Sequence, residues 1–448
     1  MKHRYLPTTE QDRAEMLEAI GVSSVEELFA DIPENIRFQG RLEIPEAMSE
    51  PELLKHMKQL AAQNWTSDQV ISFLGAGVYD HHIPSVVQHV INRSEFYTAY
   101  TPYQPEISQG ELQAMFEFQT MICELTGMDV ANSSMYDGAT AVAEAANLAV
   151  RGTNRVKLVV SKALHPESRQ VLHTYAKGRD WSIVEVACHD GRTDLDAVQQ
   201  QVDQETAAVI IQTPNFLGAI EDLEKLEAIA HAKGSLLVVS ANPLSLGILK
   251  PPGQFGADVV VGDVQTLGVP PSFGGPHCGF FAVTKKWMRQ MPGRIVGETV
   301  DREGKRGFVL TLQTREQHIR RDKATSNICS NQALNALAAT VYLSAMGKNG
   351  LHQVAYLNMQ KAYYAKQRLL QVPGVSNVFS APFFNEFVIR LSASVHDVNE
   401  QLLEKGILGG YPLEQLDPQY QQMMLVAVTE QRSKAEIDQL AEELERIL

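Results

Sequence analysis

The side chains able to do chemistry sit in several short segments. Tyr100-Thr-Pro-Tyr-Gln-Pro-Glu-Ile-Ser-Gln-Gly-Glu sets two tyrosines and a glutamine between prolines. A stiff loop with polar aromatic tips lines a site or an interface, or is a plain turn. Its end has a local explanation, because Ser108 followed by Glu111 has the spacing of a capping box, in which each side chain satisfies a free N–H at a helix start. Ser133-Ser-Met-Tyr-Asp-Gly-Ala-Thr-Ala is a small-residue loop running into a helix, and free N–H groups at a helix N-terminus are a natural phosphate seat. Asp137 stands there as N-cap, so its carboxylate would fill or repel the place of an anion. His165, in Leu-His-Pro-Glu, follows a strand at the end where sites form in such sheets, although a histidine before proline is by itself more often a loop residue. The pair His81-His82 and His277 have no cysteine or carboxylate at metal-ligand spacing, so no metal site is expected. Cys278 opens an apolar strand and is expected to be buried and inert.

Positioning these groups requires a folded body. The chain has 448 residues, 44% of them hydrophobic, enough for two or more packed units. A net charge of -14 argues against a nucleic-acid or anionic-membrane surface. Four scattered cysteines without CxxC spacing, and an N-terminus lacking a signal-peptide core, point to the cytoplasm. No apolar run approaches the roughly 20 residues of a membrane span. Residues 1–65 are acidic and broken by Pro7, Pro33, Pro45 and Pro51; they read as an arm of short helices, one over Arg13 to Ile20 and another opened by Ser23-Ser24, lying on another surface. Over 66–325 short β-rich runs alternate with helical ones. Strands are expected at Val156 to Ser161, Ile183 to Ala187, Ala208 to Gln212, Leu236 to Ser240, Val259 to Gly262 and Gly279 to Val283. Helices at Glu167 to Ala176, Leu195 to Val202 and Leu223 to Ala232 lie between several of them, which argues for a mostly parallel sheet covered on both faces. Residues 326–448 read as a smaller α+β domain. In it a helical stretch from Asn327 to Leu370, interrupted near Gly347 and Gly350, leads to strands at Phe387 to Leu391 and Met424 to Val428 and helices at Val398 to Lys405 and Lys434 to Leu448.

Four longer strings carry a resemblance. Gly75-Ala-Gly-Val-Tyr-Asp-His-His-Ile-Pro, Tyr100-Thr-Pro-Tyr-Gln-Pro-Glu-Ile-Ser-Gln-Gly, Tyr136-Asp-Gly-Ala-Thr-Ala and Arg321-Asp-Lys-Ala-Thr-Ser-Asn-Ile-Cys resemble signature segments of the glycine dehydrogenase (decarboxylating) family. This is the P protein of the glycine cleavage system, and the likeness is to the N-terminal half that some bacteria encode separately as subunit 1. The resemblance covers nearly the whole length. It implies an aspartate-aminotransferase-like fold, the PLP-dependent transferase fold type I, with an α/β large domain of mostly parallel sheet, a smaller C-terminal α+β domain and an N-terminal helical arm. In the cofactor-bearing half of such an enzyme, an aspartate holds the pyridine nitrogen of pyridoxal phosphate (PLP). A lysine forms the imine, in a segment of lysine-threonine, then proline, then a glycine run. Against that pattern, Leu236-Leu-Val-Val-Ser-Ala-Asn-Pro places Ser240 at the aspartate. Asp263-Val-Gln-Thr-Leu-Gly-Val-Pro-Pro-Ser-Phe-Gly-Gly-Pro places Gln265 at the lysine, with Thr266, Pro270 and Gly274-Gly275 in step.

Glutamine cannot form an imine, serine cannot keep the ring nitrogen protonated, and Asp137 opposes the phosphate, so this chain's own pocket is expected to be vestigial. The resemblance implies that PLP resides in a partner subunit, glycine dehydrogenase subunit 2, in an α2β2 assembly. That enzyme decarboxylates glycine and passes the aminomethyl group to the lipoyl arm of the H protein. Tyr100, Thr101, Pro102, Tyr103 and Gln104 are the candidates contributed to the partner's active site, with Glu106 and Ser108 supporting the loop. Two rival readings stand beside this one. An autonomous PLP enzyme would need a displaced lysine, Lys250 or else Lys285 or Lys286, yet Lys250 precedes Pro251-Pro252 and fits an exposed turn. A non-catalytic scaffold would recruit the H protein through Arg315-Glu-Gln-His-Ile-Arg-Arg-Asp-Lys, whose plainer reading is a solvated or intersubunit charge cluster.

Overall fold

Leu158, Val159 and Val160 are consecutive, and their side chains leave one sheet on opposite sides. Val159 joins a core with Phe118, Ile122, Leu226 and Tyr342, whereas Leu158 and Val160 join a second core with Ala141, Ala145, Leu148 and Leu172. Val209 and Ile211 against Ala208 and Ile210 repeat the division. Strands buried on both faces read as continuous apolar runs, which is why they stand out in the sequence.

The computed structural model describes residues 5–38, 40, 42–66, 69–328 and 331–448. It divides into two compact units, residues 1–65 and 66–448. In the first, α1 (Glu10–Ile20) starts at a complete Thr9/Asp12 capping box, and α2 (Glu50–Ala61) follows a short 3-10 turn. None of these elements has a buried residue. Helix α2 was not expected, because Pro51 reads as punctuation; it lies in the first turn, where a missing N–H costs nothing.

The second unit is built on a seven-stranded sheet of β1 (Val130–Ala131), β2 (Lys157–Ser161), β3 (Ser182–Val186), β4 (Thr206–Thr213), β5 (Leu236–Ala241), β6 (Val259–Asp263) and β7 (Gly279–Val283). Its order is β1-β7-β6-β5-β4-β2-β3; the strands from β6 to β3 run parallel, and β7 is antiparallel to both neighbours. Helices α3 (Gln109–Thr126) and α4 (Gly138–Thr153) cover opposite faces. The helices α5 (Pro166–Lys177), α6 (Leu195–Gln201) and α7 (Leu223–His231) fall within a residue or two of their expected bounds. A hairpin of β8 (Ile295–Val300) and β9 (Arg306–Thr311), which no sequence signal announced, packs on α3 through Leu112, Met115, Val296 and Phe308.

Helix α8 (Ala333–Leu369) breaks at Gly347, where φ is 59°. Its expected start at Asn327 is moved to Ala333; Cys329 and Ser330 lie outside the described residues. Beyond it, β10 (Val375–Asn377), β11 (Glu386–Leu391), β12 (Tyr411–Pro412) and β13 (Met423–Ala427) form an antiparallel sheet of order β10-β11-β13-β12. Helices α9 (Val395–Glu404) and α10 (Lys434–Ile447) share a core with it through Val398, Leu402, Ile437 and Leu444.

Candidate functional site

The parallel strands β2, β4, β5 and β6 end around a cavity of about 560 Å³. Ser240 lines it from the last turn of β5, Gln265 from just beyond β6, His165 from just beyond β2, and Asp137 from the start of α4. Open parallel sheets place ligands outside the carboxyl ends of their strands.

Gln265 is buried and its amide is fully engaged with backbone. Its Oε1 accepts from the N–H of Tyr79 at 3.0 Å, and its Nε2 donates to the carbonyls of Tyr79 and Val269, both at 2.9 Å. The side chain thus pairs with Tyr79 as a neighbouring strand would and holds two loops together. Next to it, Thr266 donates to Asn242 Oδ1 at 3.2 Å.

The N-terminus of α4 is occupied by the chain's own carboxylates. Asp137 Oδ1 accepts from the N–H of Thr140 at 2.7 Å and from its hydroxyl at 2.9 Å, closing a capping box. Asp263 Oδ2 accepts from the N–H of Gly138 at 3.0 Å, while its Oδ1 takes the N–H of Gln265 at 2.9 Å. His277 Nδ1 stands 3.7 Å from Asp263. Burial pushes the Asp263 carboxyl above its usual range, the His277 ring and the two N–H groups oppose this, and the charge of Asp137 adds to it.

Ala76 to Tyr79 line the cavity as well, and the segment from Gly75 to His82 is gripped from several elements. Glu386 accepts from the Ala76 N–H at 2.8 Å and from the Tyr79 hydroxyl at 2.7 Å. Burial drives the Glu386 carboxyl up to about 7, against the pull of those two bonds. Glu430 meets His81 Nδ1 at 2.8 Å and the His82 N–H at 2.5 Å; burial opposes its ionisation, but His81, the His82 N–H and Asn358 together outweigh it and hold Glu430 at about 2. Arg432 reaches Asp80 at 2.8 Å. His165 accepts the Glu167 N–H on Nδ1 at 3.2 Å, so the Nε2, 2.9 Å from the Ala76 carbonyl, carries the proton of a neutral ring. Burial lowers its pKa.

A family model described as "Glycine cleavage system P-protein" matches residues 3–444. The chain belongs to the glycine cleavage system P-protein family. Two relatives, from Bacillus cytotoxicus and Anoxybacillus flavithermus, are each 62% identical over 99% of both chains and are named probable glycine dehydrogenase (decarboxylating) subunit 1. A crystal structure of glycine decarboxylase (P-protein) of the glycine cleavage system, in inhibitor-bound form, superposes with a TM-score of 0.91 at 47% identity, covering 100% of both chains. A Lactobacillus brevis glutamate decarboxylase superposes at 0.69 with 12% identity, covering 92% of this chain and 95% of its own. At that identity the likeness bears on fold alone, which is the aspartate-aminotransferase-like fold type I.

This P-protein chain brings Gln265, Ser240, Asp137 and His165 to one cavity and leaves the Tyr100–Ser108 loop outside its lining. Tyr100 is 73% and Tyr103 65% exposed, their rings 6.5 Å apart, with the Arg294 guanidinium 6.0 Å from the Tyr103 ring. Pro102 is buried, Thr101 half-buried, and Gln104 and Glu106 exposed. The capping box expected of Ser108 and Glu111 does not form. Ser108 precedes α3 without a side-chain cap, and the neighbouring Gln109 instead donates to the carbonyls of Pro105 and Phe308 and accepts from the Phe308 N–H, tying the loop to the unforeseen hairpin. Arg315 is likewise no surface charge: it is buried, bonding the carbonyls of Leu312, Met291 and Gly293, whereas Arg320 and Arg321 are exposed. No lysine lines the cavity; Lys250 is exposed with its ammonium 4.1 Å from the Phe255 ring centre, and Lys286 lies over Trp287. Among the described residues, no group of His, Cys, Asp or Glu could hold a metal ion, and no helix is long and apolar enough to cross a membrane. Cys278 is fully buried, which pushes its thiol well up.

The sequence reading passed over Asp263, Gln212 and Tyr79. An aspartate closing the apolar run Val259-Val-Val-Gly-Asp was the available signal for the first. Gln212, whose Oε1 accepts the His165 N–H at 2.9 Å, and Tyr79 gave none.

Proposed function

We propose that this chain is the non-lysine-bearing subunit of a cytoplasmic glycine dehydrogenase (decarboxylating), working with a second chain that carries PLP. The observation that carries this reading is the amide of Gln265. At the position where the family keeps its imine-forming lysine stands a side chain that cannot form an imine and whose three hydrogen bonds all go to backbone. Ser240 offers no carboxylate for a pyridine nitrogen, and the α4 N–H groups that would seat a phosphate are taken by Asp137 and Asp263. These residues do not fit PLP, and no chemical step is assigned to this cavity.

The chain's part lies in the partner's site. The Tyr100–Ser108 loop is clasped at its base by Gln109, braced by Arg294, and carries exposed aromatic tips, the composition enriched where one chain completes another's pocket. In this assembly, an α2β2 tetramer with subunit 2, the partner's centre decarboxylates glycine and passes the aminomethyl group to the lipoyl arm of the H protein. Tyr100, Thr101, Pro102, Tyr103 and Gln104 wall that centre, and Glu106 and Ser108 hold the loop's descent into α3. The test mixes the purified chain with its lysine-bearing partner and follows glycine–bicarbonate exchange. Activity should need both chains, and Tyr100→Phe or Tyr103→Phe should lower it; wild-type exchange in both variants would remove the loop from the site.

A further inference from the structure

The cavity that does not fit PLP is neither filled nor apolar. Its roughly 560 Å³ lies within the range of small-molecule sites. The carboxylates and imidazoles on its wall are Asp137, Glu167, Asp263, His165 and His277, with neither lysine nor arginine among the lining residues. Burial disfavours the charged form of His165, and its Nδ1 accepts the Glu167 N–H, so the ring is neutral. Asp137 and Asp263 converge on the same helix start, so two carboxylates face each other across the first turn of α4 with only the His277 ring, 3.7 Å from Asp263, as a potential counter-charge. Two polar groups on the wall are unspent. His277 Nε2 is shielded from solvent without a hydrogen-bond partner, and Ser240, on the strand next to the one that ends in Asp263, lines the same space. The aromatic rings of Tyr136 and His165 complete the lining.

We infer that this cavity binds a small organic primary ammonium, an amine on an aromatic or similarly flat body, with the ammonium against Asp137 and Asp263 and the body against Tyr136 and His165. The fold's phosphate seat has its charge reversed: N–H groups that favour an anion are satisfied internally, by two carboxylates that themselves line the cavity. An ammonium supplies three donors and one positive charge, which is the complement of that wall. A benzoate of the same size carries the wrong sign. This inference rests on the reading above only in taking the cavity to be free of PLP.

The test uses the full chain with benzylamine and benzoate as charge-opposed probes, titrated by calorimetry at neutral pH and moderate salt. Benzylamine should bind with one-to-one saturation and benzoate should not. Asp137→Asn keeps a competent N-cap, so the helix is retained while a charge is lost, and it should weaken benzylamine by about tenfold, the scale of one charge-assisted hydrogen bond. Ser240→Asp adds a further carboxylate to the lining and should strengthen it. Failure of benzylamine to bind overturns the inference, as does equal binding of benzoate or an Asp137→Asn affinity equal to wild type. An imine absorbance on adding PLP would overturn the underlying reading of a lysine-free subunit instead, and the two failures are separately visible.

Discussion

Gln265 pairs with both backbone groups of Tyr79, and it is the oxygen that accepts the Tyr79 N–H which a lysine cannot replace. Gln265→Lys would keep donors toward the carbonyls of Tyr79 and Val269 but leave a buried N–H unpaired, at a cost of about 1–3 kcal/mol. The expected outcome is a lower Tm by calorimetry and, with PLP added, no imine absorbance band, because Ser240, Asp137 and Asp263 are unchanged. A strong band in this single variant would show that the phosphate seat is open. That a glutamine, and no lysine, stands beside Thr266 is legible in the sequence at once. That this glutamine is a strut is not, since its partner is 186 residues away in the chain.

At the scale of elements, the segment Gly75 to His82 depends on two carboxylates with opposite responses to acid. Glu386 moves from 4.5 to about 7, so the folded protein keeps a proton that the unfolded chain gives up. Its contribution to stability is full below about 4.5 and falls as pH rises toward 7. Glu430 moves from 4.5 to about 2, and its contribution is present above 4.5 and lost as pH falls toward 2. Glu386→Gln should flatten the decline of Tm between about pH 4.5 and about pH 7 that Glu386 gives the wild type; an unaltered slope would assign that decline to other groups. The cap of α4 is a separate matter: Asp137→Ala should cost about 1 kcal/mol in chemical denaturation, with Asp137→Asn near wild type. Strands of the main sheet were readable because burial on both faces makes them unbroken apolar runs. The β8–β9 hairpin was not, because its alternation is interrupted by charge and its apolar residues make sense only against Leu112 and Met115.

At the scale of the molecule, the chain exposes aromatic and aliphatic groups that its own folding leaves outside: Tyr97, Tyr100, Tyr103, Ile107 and Phe273, the last 92% exposed. Within the first unit, α2 shows Leu53, Leu54, Met57 and Leu60 on a helix with no buried residue, a spacing that marks one apolar stripe. Exposed apolar surface of this kind signals a partner. A Tyr100→Ala/Tyr103→Ala double variant should stay folded, since neither side chain belongs to a buried core, yet weaken association with the partner chain proposed above by at least about tenfold in sedimentation velocity. Unchanged association would place the interface elsewhere on the molecule.

The sequence by itself determined the alternation of buried strands with helices, the segments that mark the family, and the absence of an imine-forming lysine beside Thr266. Each is a property of residue order or of one residue's chemistry. Only the tertiary structure decided that Asp263 reaches the Gly138 N–H across 125 residues, that Gln265 and Glu386 grip one segment, and that Ser108 leaves its helix uncapped. The physical reason is the same in each case: a hydrogen bond between distant residues exists only after the cores have packed, and residue order does not encode which donor and acceptor that packing brings within 3 Å of each other.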